Sequence, residues 1–211
     1  MTPKEYFNTV WDRCAHIASL ASYVESEMTK AIKTEDLLRS EFVSKVSALD
    51  LYVHELVVQK MVANFRMAGQ LTDSARKFQI SLSTAHQMIM SNGIGESCDF
   101  LEIEIRERHA HLSFQHPDKI AEAIRLISNC DLWAEVSLKT GANEKTKKEK
   151  SKQIRTALTA IINRRNKIVH EGDLNNDTPR RPLDIDRKHV EEASALLKEI
   201  VTAIDLIAGE I

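Results

Sequence analysis

Glycine and proline are scarce in this chain, with six and four residues respectively among 211. So few breakers leave room for long uninterrupted helices and argue against a β fold built on many tight turns. Cysteine is scarce as well. Cys14, Cys98 and Cys130 are odd in number, far apart and in no Cys-x-x-Cys pair, which argues against a disulfide framework and a structural zinc site. Such usage suits a reducing compartment. No stretch approaches the roughly 18 apolar residues of a membrane span, and the opening MTPKEYFNTVWDR has no apolar signal core. A cytoplasmic chain with its native start and no membrane contact is expected. Positive charge is not in excess either. The formal net charge of −2 excludes coating of nucleic acid by bulk charge, so any such contact has to be local.

What is present is ordinary for a folded protein, with 43% hydrophobic and 28% charged residues and enough length to bury a core. Phe7, Val10, Trp11, Cys14, Ile17, Ala18, Ala21 and Val24 recur at helical spacing behind Thr2-Pro3, predicting a helix that runs into Lys30. A second helix is expected from Asp36 to near Gly69, with Leu38, Phe42, Val46, Leu49, Val53, Leu56, Val57, Met61 and Phe65 on its apolar face. Shorter helices are expected over 81–90, 98–112, 117–127 and 132–139, with breaks at Asn92 to Gly95, before Pro117 and at Gly141. A further helix carries Ile154, Leu158, Ile161, Ile162, Ile168 and Val169 and stops at Gly172. After a polar loop from Asp173 to Pro182, a last amphipathic helix spans 184–208. No strand-period window or solenoid repeat is visible. The expected fold is all-α, one domain over 1–211, with about four long helices and a short-helix insertion between Gly69 and Gly141.

The chemistry concentrates in IINRRNKIVHEGD, Ile161 to Asp173. At about 100° per residue, Asn166 and His170 share one helix face, and the long stem of Arg165 can swing its fork toward them. Arginine presents a planar fork to phosphate, histidine exchanges a proton near neutral pH, and asparagine orients a hydroxyl or an imidazole. The negative end of the helix dipole favours imidazolium at His170. These are parts for cleaving RNA through its own 2′-hydroxyl without a metal. One histidine cannot serve as both acid and base, and a second copy across a twofold axis would supply the other. The same residues are also good helix-capping chemistry.

RRNKIVHEGD resembles the R-x4–6-H signature of the HEPN superfamily. SALDLYVHELV, LSFQHPDKIAEAI, the tryptophan of CDLWAEV and the final HVEEASALLKEIVTAIDLI resemble its RiboL-PSP-type branch in the expected order. The resemblance covers the chain from about Ser47 to Ile207. It implies a HEPN-like helical bundle that dimerises. The two motifs would meet in a composite, metal-independent endoribonuclease, a hydrolase of phage defence or a toxin or stress nuclease. The alternative is a catalytically inactive HEPN module that binds RNA, a nucleotide or a protein partner. Carried over residue by residue, Arg165 binds phosphate, Asn166 is the polar residue after it and His170 is the catalytic histidine. Arg164 is an alternative arginine with a spacer of five. A regulatory partner or antitoxin is expected, and no cofactor or metal is. Related toxins controlled by nucleotidyltransferases carry Tyr two residues after the histidine; here that position is Gly172, so adenylylation control is not expected.

Other candidates are weaker. Asp50 and His54, four apart, either face the cleft and bond Arg165 or His170, or form a polar stripe beside the core. His109, His111 and His116 are poorly spaced as zinc ligands on a helix. Glu102 and Glu104 read as a surface charge lattice with Arg106 and Arg108. Asp173 is expected to cap its loop, and Glu171 to orient His170 or Arg164 from a partner chain. Lys147, Lys148, Lys150, Lys152 and Arg155 either steer RNA or form a solvated face, and Lys167, Arg180 and Arg181 are further candidates for RNA contact.

Overall fold

A computed structural model describes residues 1–27 and 34–210. The expected end of the first helix at Lys30 lies outside the described residues. Scarcity of breakers has the predicted result: among the described residues there are eight α-helices and no strand, only an isolated bridge between Leu174 and Pro182. Four helices are long: α1 (Pro3–Glu27), α2 (Glu35–Arg66), α7 (Lys147–Glu171) and α8 (Arg187–Gly209). Between α2 and α7 lie α3 (Leu82–Met90), α4 (Ile94–His109), α5 (Pro117–Ile124) and α6 (Leu132–Lys139).

Helix α2 is the hub, and α1, α4, α5, α7 and α8 all pack against it. Its predicted face is buried from Leu38 to Met61, with Tyr52, Leu49 and Val53 fully enclosed. A single hydrophobic cluster joins that face to Leu158 and Ile162 of α7, Leu197, Ile200 and Ile204 of α8, and Ile120 and Trp133 of the insertion. Each large side chain so buried contributes roughly 1.5–3 kcal/mol. Helix α1 belongs to the same cluster through Phe7 and Trp11. The ammonium groups of Lys45 and Lys198 also lie over the Trp11 ring, at 5.2 and 5.0 Å from its centroid.

The insertion departs from expectation in two places. Helix α4 starts at Ile94 and ends at His109, rather than spanning 98–112. Gly93, not Gly95, makes the break, and Glu96 accepts from the backbone N–H of Asn92 at 2.7 Å to fix the first turn. His111 therefore lies beyond the helix. Nor are the acidic residues of EIEIRER a surface lattice. Arg106 does pair with Glu102, but it also forks onto Glu55 at 2.6 and 2.9 Å. Glu104 is buried, pairs with Arg108 and accepts from Ser81 and Thr84 at the start of α3. The Thr84 hydroxyl leads the groups that hold its carboxyl down to about 2.

Beyond α7 the chain reverses through two left-handed residues, Gly172 at φ 63° and Asp173 at φ 57°. The Asp173 side chain has no exposed surface. Its Oδ2 accepts from Arg39 Nε at 2.8 Å and from Arg164 Nη2 at 2.7 Å. The same two arginines donate to the carbonyls of Leu183 and Asp184, which stitches the loop to α2 and α7. Asp173 is thus more than a loop cap. Asp186 then caps α8, with His189 closing a capping box.

A second buried cluster braces the insertion against α2. His109 is 4% exposed and meets Phe114, Phe78 and His54 at ring centroids of 5.3, 6.0 and 6.2 Å. Burial, aided by the neighbouring His54, depresses its affinity for a proton to about 4.

Replacing Asp173 with Ala leaves two arginine cations facing one another, and unfolding in urea is expected to show a loss of about 3 kcal/mol; a loss below about 0.5 kcal/mol would contradict the clamp. His109 is neutral in the folded chain while the unfolded chain takes up a proton from about 6.5 downward. The resulting stability is complete above pH 6.5 and is lost as pH falls toward about 4, on the order of 3 kcal/mol in all. Denaturation at pH 7.5 and pH 5 should therefore differ less in His109→Phe than in the natural chain; equal slopes would contradict the assignment.

Candidate functional site

The periodicity of α7 decides which side chains can meet. Ile154, Leu158 and Ile162 are its buried stripe, four residues apart. Ile161 and Ile168 are half-buried, whereas Val169, expected in that stripe, is 47% exposed. Flanking the stripe on one side, Arg165, Asn166 and His170 line a single open cleft of about 540 Å³. This is the convergence expected from the sequence. The facing wall is the segment His111 to His116 that joins α4 to α5, with Lys119 and Glu122 of α5 at its edge.

The cleft groups are held to different degrees. Arg165 Nη1 donates to Asn166 Oδ1 at 3.1 Å, which ties the two residues together. Arg165 Nε is buried and has no hydrogen-bond partner among the described residues. His170 is exposed at the last turn of α7.

Of the two readings of Asp50 and His54, the structure supports the polar pair beside the core: they contact each other and do not bond Arg165 or His170. Asp50 accepts from the backbone N–H of Phe114 at 2.6 Å and from Gln115 Nε2 at 2.9 Å. His54 packs on the Phe114 ring at 4.4 Å, with its Nε2 at 3.7 Å from Asp50. Both residues act through the wall: they fix the segment that faces the motif. Trp133 does the same from α6. Its indole N–H donates to the carbonyl of Pro117 at 3.0 Å, a buried bond that anchors the start of α5.

The remaining candidates point elsewhere. Arg164 is committed to Asp173 and lines a different, apolar hollow between α7 and α8, beside Ile161 and Leu196. It does not share the cleft with His170. Within the chain, Glu171 pairs with Lys167 at 3.1 Å along their own helix. Arg180 donates to the carbonyl of Asn175, and Arg181 bonds Asn175 through its backbone, so both brace the loop after α7. Lys147 begins α7 and Lys152 and Arg155 line a hollow next to the cleft, which meets it at His116.

Gln115, His116, His111 and Asn163 are cleft residues that motif reasoning missed. The signal is in RHAHLSFQH, whose histidines read from spacing only as poor zinc ligands, and His111 and His116 lie outside α4. Among the described residues no group of three His, Cys, Asp or Glu side chains is placed to hold a metal.

Gly172 carries a positive φ, so a Cβ at the position two beyond the histidine is strained. The tyrosine found there in some related toxins does not suit this backbone.

Residues 7–210 match the model of the family described as RiboL-PSP-HEPN. No curated protein matches the chain, and no solved structure does. Among the described residues no helix is long and apolar enough to cross a membrane. A helical bundle whose penultimate long helix ends in an Arg-Asn-x3-His cleft, matched over nearly its whole length, belongs to the RiboL-PSP-HEPN family.

Proposed function

We propose that this protein is a metal-independent endoribonuclease that cuts RNA by attack of the ribose 2′-hydroxyl on the adjacent phosphate. The observation that carries the reading is the convergence of Arg165, Asn166 and His170 on one open cleft in a chain of a HEPN family. Arg165 stabilises the charge that builds on the phosphorane oxygens, which is where a fixed cation lowers the barrier most. Asn166 holds the guanidinium fork in place. His170 transfers the proton, either from the 2′-hydroxyl or to the departing 5′-oxygen.

A second proton-transfer group is needed, and a second copy of the chain supplies it in this reading. Val169 and Leu112, both about half exposed, put apolar surface beside His170 and on the facing wall of the cleft. That surface suits coverage by a twofold-related copy, whose His170 would then complete the site. A role in phage defence or as a regulated toxin follows from the same family and requires a partner that keeps cutting in check. A non-catalytic RNA-binding role is favoured by one observation only: no protein group orients the His170 ring among the described residues.

Purified protein in EDTA should convert single-stranded RNA to products with 2′,3′-cyclic phosphate and 5′-hydroxyl ends. Cleavage that appears only with added magnesium would overturn the mechanism. Arg165→Ala should reduce cleavage by a factor of about a hundred or more while leaving the dimer intact. When wild-type and Arg165→Ala chains are mixed, activity should fall as the square of the wild-type fraction; a linear fall would contradict a shared site.

A further inference from the structure

The wall that faces Arg165 is more rigid than a connecting loop needs to be. Three residues from outside anchor the eight residues from His111 to Asp118, and one contact closes the segment on itself. Asp50 binds the backbone of Phe114 and the side chain of Gln115. Trp133 binds the carbonyl of Pro117. Arg155 of α7 binds Asp118 Oδ1 at 2.8 Å. The backbone N–H of Asp118 donates to His116 Nδ1 at 3.4 Å. The last contact has a chemical consequence. A ring nitrogen that accepts a hydrogen bond carries no hydrogen, so this contact leaves Nε2 as the donor nitrogen of His116, with Asp118 Oδ2 3.9 Å from Nδ1. The ring is 44% exposed and lines the same cleft as Arg165, Asn166 and His170.

We propose that His116 is a phosphate-binding residue of this cleft, whose Nε2–H bonds a non-bridging oxygen of the phosphate gripped by Arg165. The inference rests on the ribonuclease reading of the cleft. Its role differs from that of His170, because a ring whose Nδ1 is engaged and whose Nε2 carries hydrogen has no lone pair free to take a proton. The charged groups around it divide in sign. Lys119 lies beside it on α5, Arg155 and Arg165 come from α7, and Asp118 and Glu122 are anions already paired with Arg155 and Lys119. Phosphate therefore meets Arg165 on one wall and the His116 donor on the other. Two donors from opposite walls fix the phosphate in line for attack, which a single arginine cannot do. The cap contact itself has an alternative explanation, that His116 only starts α5, and the test separates the two.

His116→Asn keeps a side-chain acceptor for the Asp118 N–H, since asparagine is among the best N-cap residues, but places no donor where Nε2 was. It should fold with the melting temperature of the natural chain and lose cleavage by about tenfold to a hundredfold, the range for one hydrogen bond to a charged group. RNA with sulfur in place of one non-bridging oxygen at the cut supplies the second readout. The diastereomer that weakens cleavage by the natural chain should show no such effect with His116→Asn. Unchanged cleavage by His116→Asn, or an unchanged sulfur effect, would overturn the proposal while leaving the ribonuclease reading standing. If the natural chain cuts no RNA, that reading falls instead, and binding of an uncleavable 2′-O-methyl oligonucleotide decides the matter. Weaker binding by His116→Asn supports the phosphate contact; equal binding, or none by either chain, overturns it.

Discussion

A carboxylate with no exposed surface has to be paired with cations, because burying an unpaired charge costs several kcal/mol, and Asp173 sets that constraint for the end of α7. Two arginines meet it, Arg39 from α2 and Arg164 from α7. The consequence for the site is a division of labour between adjacent residues. Arg164 is drawn to the loop side of its helix and is consumed in structure. Arg165, turned about 100° further round, is left for the cleft. The clamp also fixes the left-handed turn at Gly172 and Asp173, and with it the exact turn of α7 on which His170 sits.

The other half of the site depends on the hub helix. Asp50 and His54 lie one turn apart on α2 and reach through to the segment after α4, one by hydrogen bonds and the other by ring packing. Trp133 adds a third anchor from α6. The cleft therefore has one wall from a long helix and one from an irregular segment, and both are tied to the same core. Such pre-organisation is what electrostatic stabilisation of a phosphorane demands, because groups that must reorient during reaction contribute little.

Much of this was legible in the sequence because helical periodicity is a local signal. The apolar faces of α2, α7 and α8 follow directly from spacing, and Gly172 marks the end of α7 as a left-handed glycine should. The motif could be read because Arg165, Asn166 and His170 lie within two turns of one helix. Asp173 could not be read in the same way. Its partner Arg39 is 134 positions away, and nothing local tells a buried clamp from a solvated cap. Asp50 stands out in the sequence, but its partners Phe114 and Gln115 lie 64 and 65 positions on, so spacing alone leaves its target open. The wall histidines were missed for a different reason. The helix α4 was carried three residues too far, which gave His111 a helical direction it does not have.

The account makes the cleft between α7 and the segment from His111 to His116 the place where an RNA phosphate sits. A crystal structure with a short 2′-O-methyl oligonucleotide, which can bind but cannot be cut, tests this most directly. The account predicts a phosphate within hydrogen-bond distance of the Arg165 guanidinium, with the flanking ribose beside His170. An oligonucleotide bound away from this cleft, for instance over the apolar hollow between α7 and α8, would contradict it.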